Sequence, residues 1–534
     1  MAPFLFCRLA CHSNRAGVRG VTRPTPFLAS LSLTLLVSAC STFGSANGDT
    51  PDAAGPTGTT PEGGTGTLDG GYPPLRVTLV SPIAPVVRGR APIVAEVKVE
   101  PLGVDAEVLV DGLPPGSPKT FAGVNRATGI AKIPIEVPAG TKPGEYPVVL
   151  RATSAGTPSK GDLSAKIRVR GAPGEIDETF GVAGRAIEPA ATFGVQAATL
   201  VEGGKIVLSG KDEMGPLLRR FNADGSRDTT FGDQGAFRAP GIGIDHLLQT
   251  TSGLRAIPSS LDETIVYRFD AAGKATPLRT FPSGELVQIL SFTTATANRL
   301  VLTGTRNDGR WVLASLDVDT GLLSNWGTGG FVNDAGTSWR AFGFFEETSS
   351  DHAFVQHITP EEVVDVTLDK SGNVVGKTTI PGVTRLPFKV VRLGPMDYVF
   401  VTRDYSSIRW KGGQATPFTP ALTELAASSG NNMRSRFFKR SGGFLLLAEG
   451  VESMPLQFTG SLFLKVCLLN DDGKPTTSFG ISGCQKLELS PQNPTPHYFA
   501  NAALLSEDES QVTIVGTFAA TVSTVAIGMT RMWL

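Results

Sequence analysis

The chain has 534 residues, room for two or three domains with substantial cores. Its 48 Lys and Arg nearly balance 49 Asp and Glu, which removes the electrostatic case for a nucleic-acid partner. Charged residues make up only 18% while Gly (62) and Pro (38) are plentiful, a balance that favours strands and tight turns over long surface helices.

Residues 1–39 read as a targeting segment. Arg8, Arg15, Arg19 and Arg23 form a positive flank, no acidic residue precedes Asp49, and an apolar run follows from Phe27 to Ala39. At about thirteen residues that run suits a signal-peptide core rather than a bilayer span. It ends Leu36-Val37-Ser38-Ala39-Cys40, which resembles a bacterial lipobox; an ordinary secretory signal is the alternative. The resemblance implies cleavage before Cys40 and a diacylglycerol on its thiol. Each buried methylene contributes roughly 0.8 kcal/mol, so such an anchor holds the protein on a membrane durably. Ser41 after the Cys implies, by familiar Gram-negative sorting, the outer membrane, with the protein facing the periplasm or the exterior.

Residues 40–74 are Gly, Thr, Pro, Ser, Ala and Asp with few apolar side chains, a composition that cannot offset chain entropy by burial and predicts a disordered tether. From 75 to 171 the pattern changes to short alternating strands: Arg76–Pro82, Ile93–Val99, Ala106–Val110, Ile130–Val137, Tyr146–Ala152 and Leu163–Val169, separated by Gly/Pro turns. Six or seven strands in under a hundred residues predict a β-sandwich. The turn Gly112-Leu113-Pro114-Pro115-Gly116 and the Pro138-to-Tyr146 entry resemble bacterial immunoglobulin-like modules of secreted proteins, which implies a spacer or an adhesin.

From 174 to 534 an aromatic–glycine phrase recurs. It reads Phe180-Gly181-Val182-Ala183-Gly184, Phe231-Gly232-Asp233-Gln234-Gly235, Trp326-Gly327-Thr328-Gly329-Gly330 and Phe479-Gly480-Ile481-Ser482-Gly483. The aromatics lie 51, 95 and 153 residues apart, close to one, two and three copies of one unit. Turn glycines recur at Gly225, Gly273, Gly321, Gly372, Gly412 and Gly473, which marks six complete units. The clearest unit, Gln196 to Gly232, resembles the bacterial delta-60 repeat, a β-propeller family without a generally established activity. Asp177–Gly181 reads as the last strand of a unit that lacks its first three, and Gln511–Leu534 as first strands that lack the last. Joining them closes a ring and removes its exposed edges.

Oxygen side chains alternate in Asn222, Asp224, Ser226 and Asp228, much as in calcium loops, and again at Asp317 and Asp319; a tight β-turn is the favoured reading of both. The stretch Leu316 to Trp326 resembles the turn of quinoprotein propeller blades, but it occurs once with altered spacing and implies no quinone site. Phe180, Phe231, Trp326 and Phe479 are expected between units. His246, His352, His357 and His497 form no metal spacing, and neither a nucleophile elbow nor a phosphate loop is present. Segments entering predicted inner strands carry Asp245, His246, Arg340, Lys389, Arg434, Arg436 and His497. A basic channel mouth would suit an anionic sugar, a peptide carboxylate or a phosphate; scattered charge, diluted by Glu285 and Asp351, is the alternative.

Cys7 and Cys11 leave with the signal. Cys467 and Cys484 remain, an even pair in an oxidising compartment, flanking a predicted turn at Asp471-Asp472-Gly473. A disulfide is the favoured reading and two buried thiols the alternative. The expected fold is all-β: an immunoglobulin-like β-sandwich followed by a seven-bladed β-propeller closed by pairing of its N- and C-terminal strands. The expected role is that of a cell-envelope lipoprotein, held on the membrane by its lipid anchor, that binds or scaffolds a protein or glycan. A propeller-type glycan hydrolase or lyase and a purely structural envelope protein are the alternatives. No catalytic, cofactor-binding or metal residue is assigned, and no cofactor is expected.

Overall fold

Alternation of apolar and charged residues over 95–100 makes Ile93–Glu100 a strand with one wet face: Ala95, Val97 and Val99 are buried between Glu96, Lys98 and Glu100. The computed structural model describes residues 73–189, 194–212, 214–238, 243–259, 264–282, 285–286, 288–296, 298–306, 308–333, 339–357, 362–383, 389–401, 407–418, 435–452, 461–488, 498–519 and 525–534. All of these belong to one unit, Thr67–Leu534. The targeting segment, Cys40 and all but the last two residues of the tether lie outside them. Among the described residues no helix is long and apolar enough to cross a membrane.

Residues 76–170 form two sheets. One has three strands, with Ile93–Glu100 between Arg76–Leu79 and Ile130–Ile135. The other has five, in the order Val86–Val87, Lys160–Arg170, Gly144–Ser154, Ala106–Asp111, Thr120–Gly123. Val97 and Ile133 from the first sheet and Val108, Leu150 and Ile167 from the second share one buried core. The strands Val86–Val87 and Thr120–Gly123 are absent from the sequence reading; a two-residue strand and a strand with exposed Phe121 carry little alternation.

The rest of the described chain forms seven four-stranded antiparallel sheets. Six are simple meanders, within residues 194–238, 243–281, 288–333, 339–379, 389–417 and 435–488. The seventh takes Tyr498–Leu505, Gln511–Ala519 and Val525–Trp533 from the end of the chain, and its fourth strand is Arg185–Pro189. Met529 pairs with Ala186 and Gly528 with Ile187. Seven hydrophobic clusters lie between consecutive sheets, and the last of them packs Ile527 and Met529 of the seventh sheet on Ile206 and Leu208 of the first. The sheets therefore run in a closed cycle, an all-β arrangement consistent with a β-propeller.

One device ties sheet to sheet. Phe180, Phe231 and Phe479 are fully buried and Trp326 nearly so. The glycine after three of these aromatics donates its amide to the next sheet's turn: Gly181 to Asp224, Gly232 to Ala272 and Gly327 to Ser371, each at 2.6 Å. The turn glycine beside that carbonyl is pressed against the aromatic, so a Cβ at Gly273 would meet the Phe231 ring at 2.6 Å and the Gly232 nitrogen at 2.7 Å. The fourth phrase meets the start of the ring instead, where Gly174 lies against Gly480.

The five-stranded sheet runs directly into the seam. Arg168 and Arg170 both reach Asp508 Oδ2, at 3.0 and 2.7 Å. Arg88 binds Glu175 at 2.9 Å, Gly174 donates its amide to the Trp533 carbonyl, and the Trp533 indole fills the space where a side chain on Gly171 would stand.

Candidate functional site

The oxygen-rich turn at 222–228 folds on itself. Asp224 Oδ1 accepts from the Ser226 amide and hydroxyl, and Asn222 Nδ2 donates to Ser226 Oγ. Burial alone would raise the Asp228 carboxyl, but bonds from Lys205, Thr230 and Arg220 outweigh it and hold the group far below the usual carboxylate range. Asp317 Oδ1 likewise accepts from the Asp319 amide and from the amide and hydroxyl of Thr320. These carboxylates stabilise turns and the joints between sheets.

Cys467 and Cys484 are directly opposed on the third and fourth strands of the sixth sheet and form a disulfide. Of the residues expected at a channel mouth, His246 is half-buried with Nε2 3.2 Å from the Ile289 carbonyl. Arg434 and His497 lie outside the described residues, as do the side chains of Asp245, Arg340, Lys389 and Arg436. Asp351 is fully buried and binds Arg299 at 2.8 Å and Lys370 at 2.6 Å.

The first strands of four sheets nevertheless converge on one opening of about 430 Å³. Phe345 comes from Trp339–Glu346, Val390 to Arg392 from Lys389–Gly394, Phe438 and Lys439 from Ser435–Arg440, and Ala503 and Leu505 from Tyr498–Leu505. Its walls are mostly apolar and its two cations, Arg392 and Lys439, are each paired, Lys439 with Asp471 Oδ1 at 2.8 Å, a lining suited to an amphipathic ligand whose anionic group competes for them. Arg392 is braced from behind: its guanidinium donates to Glu347 Oε2 at 2.5 Å and to the Glu346 carbonyl at 3.1 Å. Glu347 Oε1 accepts from the Tyr398 hydroxyl at 2.7 Å. Burial first, and that bond second, push the Tyr398 phenol well above its usual range.

Beside this brace lies a second polar group. The hairpin turn Glu347–Ser350 joins Trp339–Glu346 to Asp351–His357. Ser350 Oγ is 3.1 Å from His352 Nε2, and His352 Nδ1 is 2.8 Å from Asp365 Oδ1. His352 and Asp365 are buried, at 1% and 4% exposure, and Trp410 Nε1 donates to the other Asp365 oxygen at 3.4 Å. The sequence reading names His352 but not Ser350, Asp365, Glu347, Arg392 or Tyr398. His352 pairs with Thr367, so Asp365 is its diagonal neighbour on the same face of the next strand, a relation visible only once the register is known.

No protein-family model matches the chain, and no curated protein does. Among solved structures it is similar to prolyl oligopeptidase B from Galerina marginata at 12% identity, over 65% of this chain and 52% of that one, with a TM-score of 0.39. It is similar to Drosophila plexin A in complex with semaphorin 1b at 8% identity, over 65% and 86%, with a TM-score of 0.34. The dihydro-heme d1 dehydrogenase NirN follows at 11% identity, over 65% and 74%, with a TM-score of 0.31. Likenesses this distant assign neither an activity nor a ligand to this chain.

Proposed function

We propose that the protein is a cell-envelope lipoprotein: Cys40 carries the lipid, residues 40–74 are a tether, residues 75–171 an immunoglobulin-like spacer, and residues 174–534 a seven-bladed, delta-60-like β-propeller that binds a protein or glycan. The seven sheets in a cycle, with Arg185–Pro189 completing the last, support the blade count and the closure. The repeated aromatic–glycine phrase supports the delta-60 reading.

The observation that carries the binding role is the opening at Phe345, Arg392, Lys439 and Leu505, to which four sheets contribute. A closed ring holds such groups at fixed separations without ordering a loop on binding. The neighbouring carboxylates favour binding over glycan hydrolysis: Glu347 is held by Arg392 and Tyr398, and Asp351 by Arg299 and Lys370, so neither is free to act as a general acid.

Arrays of anionic glycans and peptides probed with the full-length protein test this role. The expected result is a ligand whose binding weakens at least about tenfold in Lys439→Glu and Leu505→Asp variants with unchanged melting. Ligands bound equally well by both variants would place recognition elsewhere. Replacing Cys40 by Ser should move the protein from the membrane to the soluble fraction, and retention on the membrane would end the lipoprotein reading.

A further inference from the structure

Ser350, His352 and Asp365 are in hydrogen-bond contact in the order that activates a serine. An ionised Asp365 can only accept, so His352 Nδ1 carries the proton, Nε2 holds a lone pair, and the Ser350 hydroxyl donates to it. His352 is the only ion-pair partner of Asp365 among the described residues. The buried carboxylate therefore fixes the ring's tautomer and is positioned to stabilise an imidazolium. The Tyr398 ring, 6.2 Å from that of His352, and Trp410 hold the pair in place.

The serine end is open where the other two groups are not. Ser350 is half-buried on a turn whose Thr348 and Ser349 are exposed. An ester therefore approaches from the Ser350 side, with His352 and Asp365 buried behind it.

We propose that Ser350 is the nucleophile of an acyl-transfer site that hydrolyses carboxylic esters, with His352 as its general base and acid and Asp365 as a positioning residue. Ser350 Oγ bonds to the acyl carbon and its proton passes to His352 Nε2. The ester C–O bond breaks, and the leaving alkoxide takes that proton. Water then attacks the acyl-serine while Nε2 takes one of its protons and returns it to Ser350 Oγ, releasing the carboxylic acid. Nothing is oxidised or reduced.

The test treats the full-length protein with a fluorophosphonate and, separately, with p-nitrophenyl acetate. A single phosphonyl adduct on Ser350 is expected by peptide mass spectrometry, and Ser350→Ala should hydrolyse the ester at least about 100-fold more slowly with its melting unchanged. Asp365→Asn, which keeps the shape of the pocket, should lower kcat with little change in KM, because the ring is then held in the wrong tautomer. An adduct found on other serines but not on Ser350, or equal ester hydrolysis by the wild type and Ser350→Ala, would overturn the proposal. Either result leaves the ligand-binding role of the neighbouring opening untouched.

Discussion

Arg531 Nε donates to Asp177 Oδ2 at 2.7 Å across 354 residues of chain. The same constellation occurs locally in the first sheet, where Arg220 Nε donates to Asp228 Oδ2 at 2.7 Å. In both copies the guanidinium also lies over the phrase aromatic, 4.7 Å from the Phe180 ring and 4.6 Å from the Phe231 ring. In both it reaches a carbonyl of the next turn, at Ala223 or Ala271. One residue set thus serves as a unit inside a sheet and as a stitch across the two ends of the cycle.

Truncating Arg531 leaves a fully buried Asp177 carboxylate without its cation. Arg531→Ala should lower stability by about 3 kcal/mol, the scale for breaking a buried pair from one side. Because the pair closes the cycle, the seven sheets should still unfold together, at a lower urea midpoint, read by fluorescence and by far-UV dichroism. Loss of the seventh sheet alone, with the remaining sheets unfolding as in the wild type, would mean that the sheets are independent and that closure does not matter.

The turn glycines make a second, graded prediction. Gly273 and Gly412 both have positive φ, at 80° and 55°, so alanine at either meets backbone strain of about 1 kcal/mol. At Gly412 a Cβ meets nothing within 4 Å, whereas at Gly273 it collides with the Phe231 ring and the Gly232 nitrogen. Gly273→Ala should therefore cost at least about 2 kcal/mol more than Gly412→Ala, since overpacking is added to strain. Thermal melts of the two variants decide it, and equal shifts would show that contact between sheets contributes nothing at this turn.

The same contacts explain what could be read in advance. A repeated Phe-Gly is legible because each unit must offer its aromatic to the next unit's turn, so the requirement returns with the period in linear sequence. The partial unit at Asp177–Gly181 is legible for the same reason: it repeats the Asp, Thr, Phe and Gly of 228–232 in isolation. The opening and the serine–histidine–aspartate group follow no such rule. Phe345, Arg392, Lys439 and Leu505 occupy different sequence contexts in four sheets and meet only through the cycle. Ser350 and Asp365 become neighbours of His352 through a turn and a diagonal pairing, and neither leaves a spacing motif.

The disulfide acts on one hairpin. Cys467 and Cys484 enclose the turn and the Phe479 phrase, 17 residues apart, and Cys467 also packs on Phe444 in the core between the fifth and sixth sheets. Constraint of a loop this size in the unfolded chain contributes about 3 kcal/mol. The Cys467→Ala, Cys484→Ala double variant should lose roughly that amount in urea titrations, and the wild type should lose as much in a reductant strong enough to open the bond. A double variant as stable as the oxidised wild type would show that the hairpin is already closed without the bond.

Asp508 governs the joint between the sandwich and the seam. Burial would raise its carboxyl, but hydrogen bonds from Ser510 and Ser506 and the charge of Arg170 outweigh it and hold the group well below the usual carboxylate range. A carboxyl lowered on folding stabilises the joint fully above its unfolded value of about 4 and ceases to do so as pH falls through the lowered one. Acidification should therefore loosen the contacts of Arg168 and Arg170 before the buried cores respond. Hydrogen exchange at the Arg88 and Gly174 amides, which bond to the Arg170 and Trp533 carbonyls, reports on the joint. Their protection should fall between about pH 4 and pH 2 while that of Leu446, in the sixth sheet, persists. Asp508→Asn should show the weakened protection already at neutral pH and no further loss over that acid range. A variant that keeps the wild-type acid profile would show that Asp508 does not control the loosening.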